Sequence, residues 1–303
     1  MSKYSETDCY QNIELPLNGG RVIPVTIKRL DLLHPDIQGN KYYKLKYNLE
    51  EARLSGHDTL LTFGGAYSNH IHATAVAARE AGMKAIGVIR GEPAFPLNPT
   101  LSTVQALGMH LHYISRGDYR QKKTGKILDA LKAKFGRFYL LPEGGTNHLA
   151  IKGCEEILNH EDKQALFVAV PIGTGGTFCG LVSSAEPGQT IMGFSSLKGE
   201  FIRNEVQELL QVYSIRPRCQ WEIYTRYHFG GYAKFTPELL GFVKSFRLTT
   251  GIPLDPIYTG KMMYGMLDLA EKGRFVEDSR ILVLHTGGLQ GIPGFNERFG
   301  TNL

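Results

Sequence analysis

What this 303-residue chain lacks removes several classes of function. Its four cysteines, Cys9, Cys154, Cys179 and Cys219, include no pair at C-x-x-C spacing, so neither a zinc site nor a dithiol redox motif is indicated. No apolar run approaches the ~18 residues of a membrane span. The stretch from Met1 to Leu15 is polar, carries Glu6 and Asp8, and reads as neither a secretory signal nor a transit peptide. The expected location is a reducing cytoplasm, with no membrane partner. Charge of one sign is never concentrated. The formal net charge of +5 comes from scattered Lys and Arg interleaved with acids, and no basic arm or aromatic–basic motif is present, so nucleic acid is not an expected partner. His70 and His72 fall on different faces of a predicted helix, and no metal set is expected. Linkers, low-complexity segments and heptads are absent. What remains is an ordinary globular composition, 42% hydrophobic and 21% charged, whose mild basic bias suits an anionic small molecule.

The middle of the chain alternates strand and helix. Strands are predicted at 59–63, 84–89, 110–114 and 138–141. Helices are predicted from Ser68 to Ala81, from the Asn98-Pro99 cap to Gly108, and from an Asp118 cap to Phe135. The second half repeats the pattern, with strands at 166–170, 190–194 and 280–285 and helices at 236–251 and 261–272. Such alternation implies parallel sheets covered by helices. The reading is an α/β protein of two lobes, each a largely parallel helix-covered sheet, with residues 1–46 and 143–303 forming the larger lobe and 47–142 the smaller.

Three local patterns carry chemistry. The first is Gly39-Asn40-Lys41, with Lys44 one helical turn later. A lysine after a Gly-Asn turn is a candidate for imine formation with a cofactor aldehyde, and its freed amine can then move a proton at the substrate Cα. Lys44 is placed to meet a cofactor phosphate. The second is Gly64-Gly65-Ala66-Tyr67-Ser68-Asn69-His70. Glycines between a strand and a helix admit a ligand close to the backbone, and the helix start offers unpaired N–H groups to a carboxylate. The third is Gly173-Thr174-Gly175-Gly176-Thr177 after an apolar strand. It is a small-residue phosphate cradle without the Lys of a Walker loop or the spacing of a dinucleotide fingerprint, which suits one phosphate. Together they outline a pyridoxal-phosphate site. Two later turns, Leu254 to Lys261 and His285 to Gly288, read as loops on their own.

With these added, the chain resembles the branch of fold-type-II pyridoxal-phosphate enzymes, tryptophan synthase beta-like in fold, that contains 1-aminocyclopropane-1-carboxylate (ACC) deaminase and D-cysteine desulfhydrase. The resemblance runs from about Ile27 to Gly288. It rests on Lys28-Arg29-x-Asp31-Leu32, Gly39-Asn40-Lys41-x-x-Lys44-Leu45, Gly64-Gly65-x-x-Ser68-Asn69-His70, the Gly/Thr loop, Asp255-Pro256-x-Tyr258-Thr259-Gly260-Lys261 and His285-Thr286-Gly287-Gly288. It implies pyridoxal 5′-phosphate as cofactor, Lys41 as its Schiff-base lysine and Asn69 at its O3′. It implies Ser68 at the substrate carboxylate, and Thr174, Gly175, Gly176 and Thr177 around the phosphate. Tyr258 matches the family tyrosine, Tyr232 is a looser match to a second one, and a homodimer is the expected assembly.

The deaminase type carries Glu and Leu where this chain has Thr259 and Thr286, which is the desulfhydrase pattern. A carboxylate near the pyridine nitrogen deepens the electron sink that opening a cyclopropane requires. Hydroxyl partners suffice for a good leaving group such as thiolate, the thiol pKa being about 8.5. The expected reaction is β-elimination from a small amino acid, D-cysteine giving pyruvate, sulfide and ammonia. The alternatives are ACC deamination to α-ketobutyrate and a cofactor-binding protein without turnover. The chain departs from the family at Tyr42-Tyr43, at His34 to Gln38, at Pro142 to His148 and at Leu289-Gln290-Gly291, positions that bear on the substrate.

Overall fold

The computed structural model describes residues 9–276 and 278–303; residues 1–8, half of the polar N-terminal stretch read above, lie outside them. The elements begin with β1 (Tyr10–Pro16), β2 (Val22–Lys28), α1 (Asn40–Leu54), β3 (Thr59–Gly64), α2 (Asn69–Glu80), β4 (Lys84–Arg90), α3 (Pro99–Ala106), β5 (His110–Ile114), α4 (Arg116–Arg120), α5 (Gly125–Phe135) and β6 (Tyr139–Leu141). They continue with α6 (His148–Cys154), β7 (Phe167–Ile172), α7 (Gly176–Ser184), β8 (Thr190–Ser195), α8 (Phe201–Val212), β9 (Gln220–Tyr224), α9 (Pro237–Thr250), α10 (Thr259–Glu271), β10 (Ile281–Leu284) and α11 (Ile292–Phe299).

The strands form two sheets. One runs β1-β2-β10-β7-β8-β9, with β1 antiparallel and the rest parallel. The other runs β5-β4-β3-β6 and is wholly parallel. The α/β class with two helix-covered, largely parallel sheets is the one predicted. All strands of the smaller sheet lie within residues 47–142, and all described strands of the larger sheet lie outside that range.

Both faces of each sheet are buried, which explains why the central strands are apolar without interruption. Successive residues point to opposite faces. In β7, Val168, Val170 and Ile172 join one core cluster while Ala169 joins the other. In β3, Leu60 packs under α2 and α3, and Leu61 and Phe63 pack under α5. Each such side chain contributes roughly 1.5–3 kcal/mol of burial. Helix α1 sits between the two systems, since Tyr43 belongs to a cluster of the large sheet and Leu45 and Ala52 to one of the small sheet.

One predicted helix is corrected. The span from Asp118 to Phe135 is two helices, and the cap is Ser115, whose Oγ accepts from the Asp118 N–H at 3.0 Å. The chain turns at Gln121–Thr124, where Thr124 Oγ1 donates to the Gln121 carbonyl at 2.8 Å and Lys122 pairs with Glu143 at 3.0 Å.

Candidate active site

A cavity of about 850 Å³ opens at the carboxyl ends of the parallel strands, lined by the segments that leave β3, β4, β6, β7 and β10. Open α/β sheets place ligands there because helix N-termini with unpaired N–H groups follow the strands.

Lys41, the second residue of α1, enters this cavity because Gly39 presses against the exit of β10. Gly39 has φ of 65°, and a side chain on it would begin 1.9 Å from the Thr286 carbonyl oxygen, so glycine is required. Asn40 then ties the lysine to the neighbouring loop. Its Oδ1 accepts from Lys41 Nζ at 3.2 Å, and its Nδ2 donates to Thr177 Oγ1 at 2.7 Å. Burial, and next the charge of Lys44, lower the Lys41 ammonium from 10.5 to about 7. Much of it is therefore free amine at neutral pH, the form that attacks a carbonyl.

Lys44 is 2% exposed, and its Nζ donates to the Gly144 carbonyl at 2.8 Å, to Thr146 Oγ1 at 3.0 Å and to Thr174 Oγ1 at 3.5 Å. All three are neutral oxygens, and among the described residues no carboxylate pairs with it. A buried cation without a counter-ion is costly, and burial pushes its pKa down. The backbone at Gly175 and Gly176 opens α7 beside it. A side chain on Gly176 would begin 2.8 Å from Thr146 Oγ1 and 3.2 Å from Lys44 Nζ, filling the cradle. An unmatched ammonium, two threonine hydroxyls and a bare helix start fit the phosphate of pyridoxal phosphate.

Across the cavity, Ser68 is the N-cap of α2, its Oγ accepting from the Ile71 N–H at 3.3 Å. Asn69 follows it, and its Oδ1 accepts from Gln290 Nε2, a bond that joins α2 to the segment after β10. His70 is buried. Thr62 Oγ1 donates to the Leu141 carbonyl at 3.0 Å, so the His70 Nε2–H donates to Thr62 Oγ1 at 2.8 Å. Burial, then the charges of Lys41 and Lys44, hold His70 well below its usual pKa, and it is neutral.

Tyr258 and Tyr232 stand edge to face with ring centroids 6.1 Å apart, and both line the cavity. Burial raises both phenols, Tyr258 most, so they keep their protons at neutral pH. Lys261 presents Tyr232. It is 1% exposed and donates to the His228 and Gly231 carbonyls at 2.8 Å each, holding the loop that carries the tyrosine. Asp255 organises the turn before α10, accepting from the N–H groups of Ile257, Tyr258 and Thr259 at 3.0, 2.9 and 2.9 Å.

The structure brings Lys41, Lys44, Ser68, Asn69, Thr174, Gly175, Gly176, Thr177, Tyr232, Tyr258 and Thr286 to one cavity. Thr259 is placed otherwise. It is fully buried and absent from the lining; its hydroxyl donates to Asp255 Oδ1 at 2.8 Å and accepts from the Asp255 N–H at 2.9 Å. As the first residue of α10 it closes the Asp255 turn, which consumes both functions of the hydroxyl.

A sequence profile of the pyridoxal-phosphate dependent enzyme family matches residues 13–287. The chain belongs to that family. The enzyme is similar to a putative ACC deaminase of Pyrococcus abyssi, 32% identical over 91% of this chain and 87% of the relative. It is 31% identical to the mitochondrial bifunctional D-cysteine desulfhydrase/ACC deaminase of Arabidopsis thaliana, over 88% of this chain and 72% of that one. Among solved structures, an ACC deaminase homologue superposes with a TM-score of 0.75 at 30% identity, covering 91% of this chain and 87% of that one. The cofactor of the family is pyridoxal phosphate, and the Lys44 cradle fits its phosphate.

Sequence reasoning assigned no role to Arg90 in this enzyme's site, and gave Thr146 and Gln290 only as parts of segments that depart from the family and bear on the substrate. Thr146 had a readable signal, since Gly144-Gly145-Thr146 follows β6 as the Gly/Thr loop follows β7. Gln290 was marked only by its departure from the family pattern, and Arg90 had no signal.

Proposed function

We propose that the enzyme eliminates the β-substituent of a small α-amino acid, with D-cysteine giving pyruvate, sulfide and ammonia. Its two sheets are the cores of the lobes 1–46 with 143–303 and 47–142, and the cavity between them is the active site. Pyridoxal phosphate, when bound, supplies an electron sink conjugated to the substrate Cα. Lys44, Thr146, Thr174 and the backbone of Gly175 to Thr177 hold its phosphate. Lys41 would supply the amine that bonds its aldehyde and would be the base at the substrate Cα; in the free protein burial and the Lys44 charge lower that amine to about 7. The Ser68 hydroxyl and the N–H groups opening α2 receive the α-carboxylate. Tyr232 and Tyr258, kept protonated, donate hydrogen bonds toward the departing group.

The observation that carries the choice of elimination is that the turn from Asp255 to Thr259, where the deaminase type carries a glutamate, offers no free carboxylate. Position 259 is threonine, with its hydroxyl spent on Asp255, and the Asp255 oxygens are spent on three N–H groups and that hydroxyl. Elimination of a thiolate does not need the deeper electron sink that a carboxylate provides. The names of the relatives favour a second reading, ring opening of ACC to α-ketobutyrate.

Purified protein loaded with cofactor is reduced with borohydride and mapped, then assayed separately with D-cysteine, L-cysteine and ACC. Label on Lys41 with sulfide and pyruvate from D-cysteine is expected. Label elsewhere removes the site assignment, and ketoacid from ACC alone removes the elimination reading.

A further inference from the structure

We infer that Arg90 forms a receptor for a second anionic group, so that the preferred substrate is an α-amino acid whose side chain carries a carboxylate or an oxyanion of like geometry. This rests on the reading of the cavity as an amino-acid site.

Arg90 ends β4, the strand beside β3, and the pairing of Gly64 with Ile89 puts it alongside the turn that opens α2. Its guanidinium stands 3.7 Å from where a side chain on Gly65 would begin, and its centre lies 5.7 Å from the ring centroid of Tyr119. Tyr119 is 2% exposed and its hydroxyl donates to Glu143 at 2.7 Å, so the ring is a fixed platform that orients the cation. The Tyr232 phenol is near enough to feel the arginine charge. Arg90 therefore faces the space beyond the proposed carboxylate contacts of Ser68 and α2, on the side of the tyrosines.

Other charges line the same cavity, Lys122, Lys123, Glu143, Glu205 and Glu208. Lys122 pairs with Glu143 at 3.0 Å, and burial raises the Glu205 carboxyl, with Lys123 the leading cation opposing it. Arg90 lines the same cavity and, among the described residues, has no acidic partner within salt-bridge distance and makes no side-chain hydrogen bond. Arg90 is exposed to the cavity, and a planar fork of N–H donors set over a fixed ring and left unpaired beside the proposed α-carboxylate contacts suits a second carboxylate. The α-carboxylate has its own donors at the start of α2, which leaves the fork for the side chain. D-Cysteine is then a substrate that the site admits, and an anionic β-substituent is the one it fits.

Aspartate and alanine share their α-groups and differ by one side-chain carboxylate. Their binding to the cofactor-loaded enzyme, measured by calorimetry for both enantiomers at low salt, isolates the contact. Aspartate is expected to bind about 10- to 100-fold more tightly than alanine in one stereochemical series. Arg90→Gln removes that gap while alanine affinity stays within about threefold, Arg90→Lys keeps part of it, and added salt narrows it in the wild type. Equal binding of the two amino acids by wild type overturns the proposal. So does an equal loss for both in Arg90→Gln, which would give the arginine to the α-carboxylate. Thermal melts confirm that the variants are folded. Borohydride label missing from Lys41 sinks the functional reading, whereas label on Lys41 with no aspartate preference sinks the arginine receptor alone.

Discussion

Lys41 and Lys44 lie one helical turn apart, and the second charge helps to neutralise the first. Burial is the larger cause of the Lys41 shift and the Lys44 charge is the next, so the two roles of Lys44 are separable. In Lys44→Met, cofactor affinity is expected to fall about 10- to 100-fold through loss of a charge-assisted phosphate contact. The pH midpoint for the rate of cofactor capture, near 7 in the wild type, is expected to move upward. An unchanged midpoint, followed by the visible absorbance of the lysine–cofactor bond in stopped flow, would separate the two lysines electrostatically. That Lys41 and the Gly/Thr loop are candidates for one site was legible because their signals are local, a turn, a spacing and a helix start, and both line the same cavity. Thr259 lies off the cavity lining because the Asp255 turn takes up its hydroxyl, and the partner of a hydroxyl cannot be read from its type.

At the level of elements, two junctions hold the site open. The first is the start of α7. Gly176→Ala adds one methyl group inside the cradle, and cofactor affinity measured by fluorescence quenching is expected to drop at least about tenfold, with the fold intact because the residue is otherwise an ordinary helical position. The second is the buried set Arg29, Asp31 and His285, which ties the exit of β2 to the exit of β10. Arg29 binds Asp31 through two nitrogens at 2.9 and 2.7 Å, and His285 Nδ1 lies 2.9 Å from Asp31 Oδ1. Burial works to raise the Asp31 carboxyl, but the His285 and Arg29 contacts outweigh it and hold it at about 2. A carboxyl lowered from 3.8 adds stability above that value, and the contribution is lost as pH falls through 2. Asp31→Asn is expected to cost roughly 3–5 kcal/mol in urea unfolding at pH 7. These residues stood in the sequence only as members of the motifs that carry the family resemblance; that they brace strands emerges from the pairing of β2 with β10.

For the molecule as a whole, the cofactor and the buried lysines are linked to stability. Lys41 titrates at about 7 folded against 10.5 in its ordinary state, so between those values the unfolded chain binds the extra proton. Stability of the cofactor-free protein therefore rises with pH from about 7 toward 10, and Lys44 acts with the same sign. Above about 10 the raised tyrosines oppose the trend, because the unfolded chain loses their protons first. Melting temperature followed from pH 7 to 9.5 is expected to climb less steeply in Lys41→Met than in the wild type; parallel curves would count against the buried, half-neutral lysine. Cofactor at 100 times its dissociation constant is expected to add about 2.7 kcal/mol, and Gly176→Ala to add less at the same concentration.

The α/β class, the alternation of strand and helix, the anion-binding turns and the lysine at position 41 follow from periodicity, glycine placement and capping, which act over a few residues. The β1–β2 hairpin, α8 and β9 were not among the predicted elements and stand in the structure as parts of the large sheet and its cover. Which side chains meet at the cavity is another matter. Thr146 beside Lys44, Lys261 under the Tyr232 loop, Gln290 on Asn69 and Arg90 on Tyr119 join segments from 29 to 221 residues apart, as hydrogen bonds such as Gln290 to Asn69 show. Sheet order and register set those meetings, because they are the lowest-energy way to bury two apolar faces at once, and no short-range pattern encodes them.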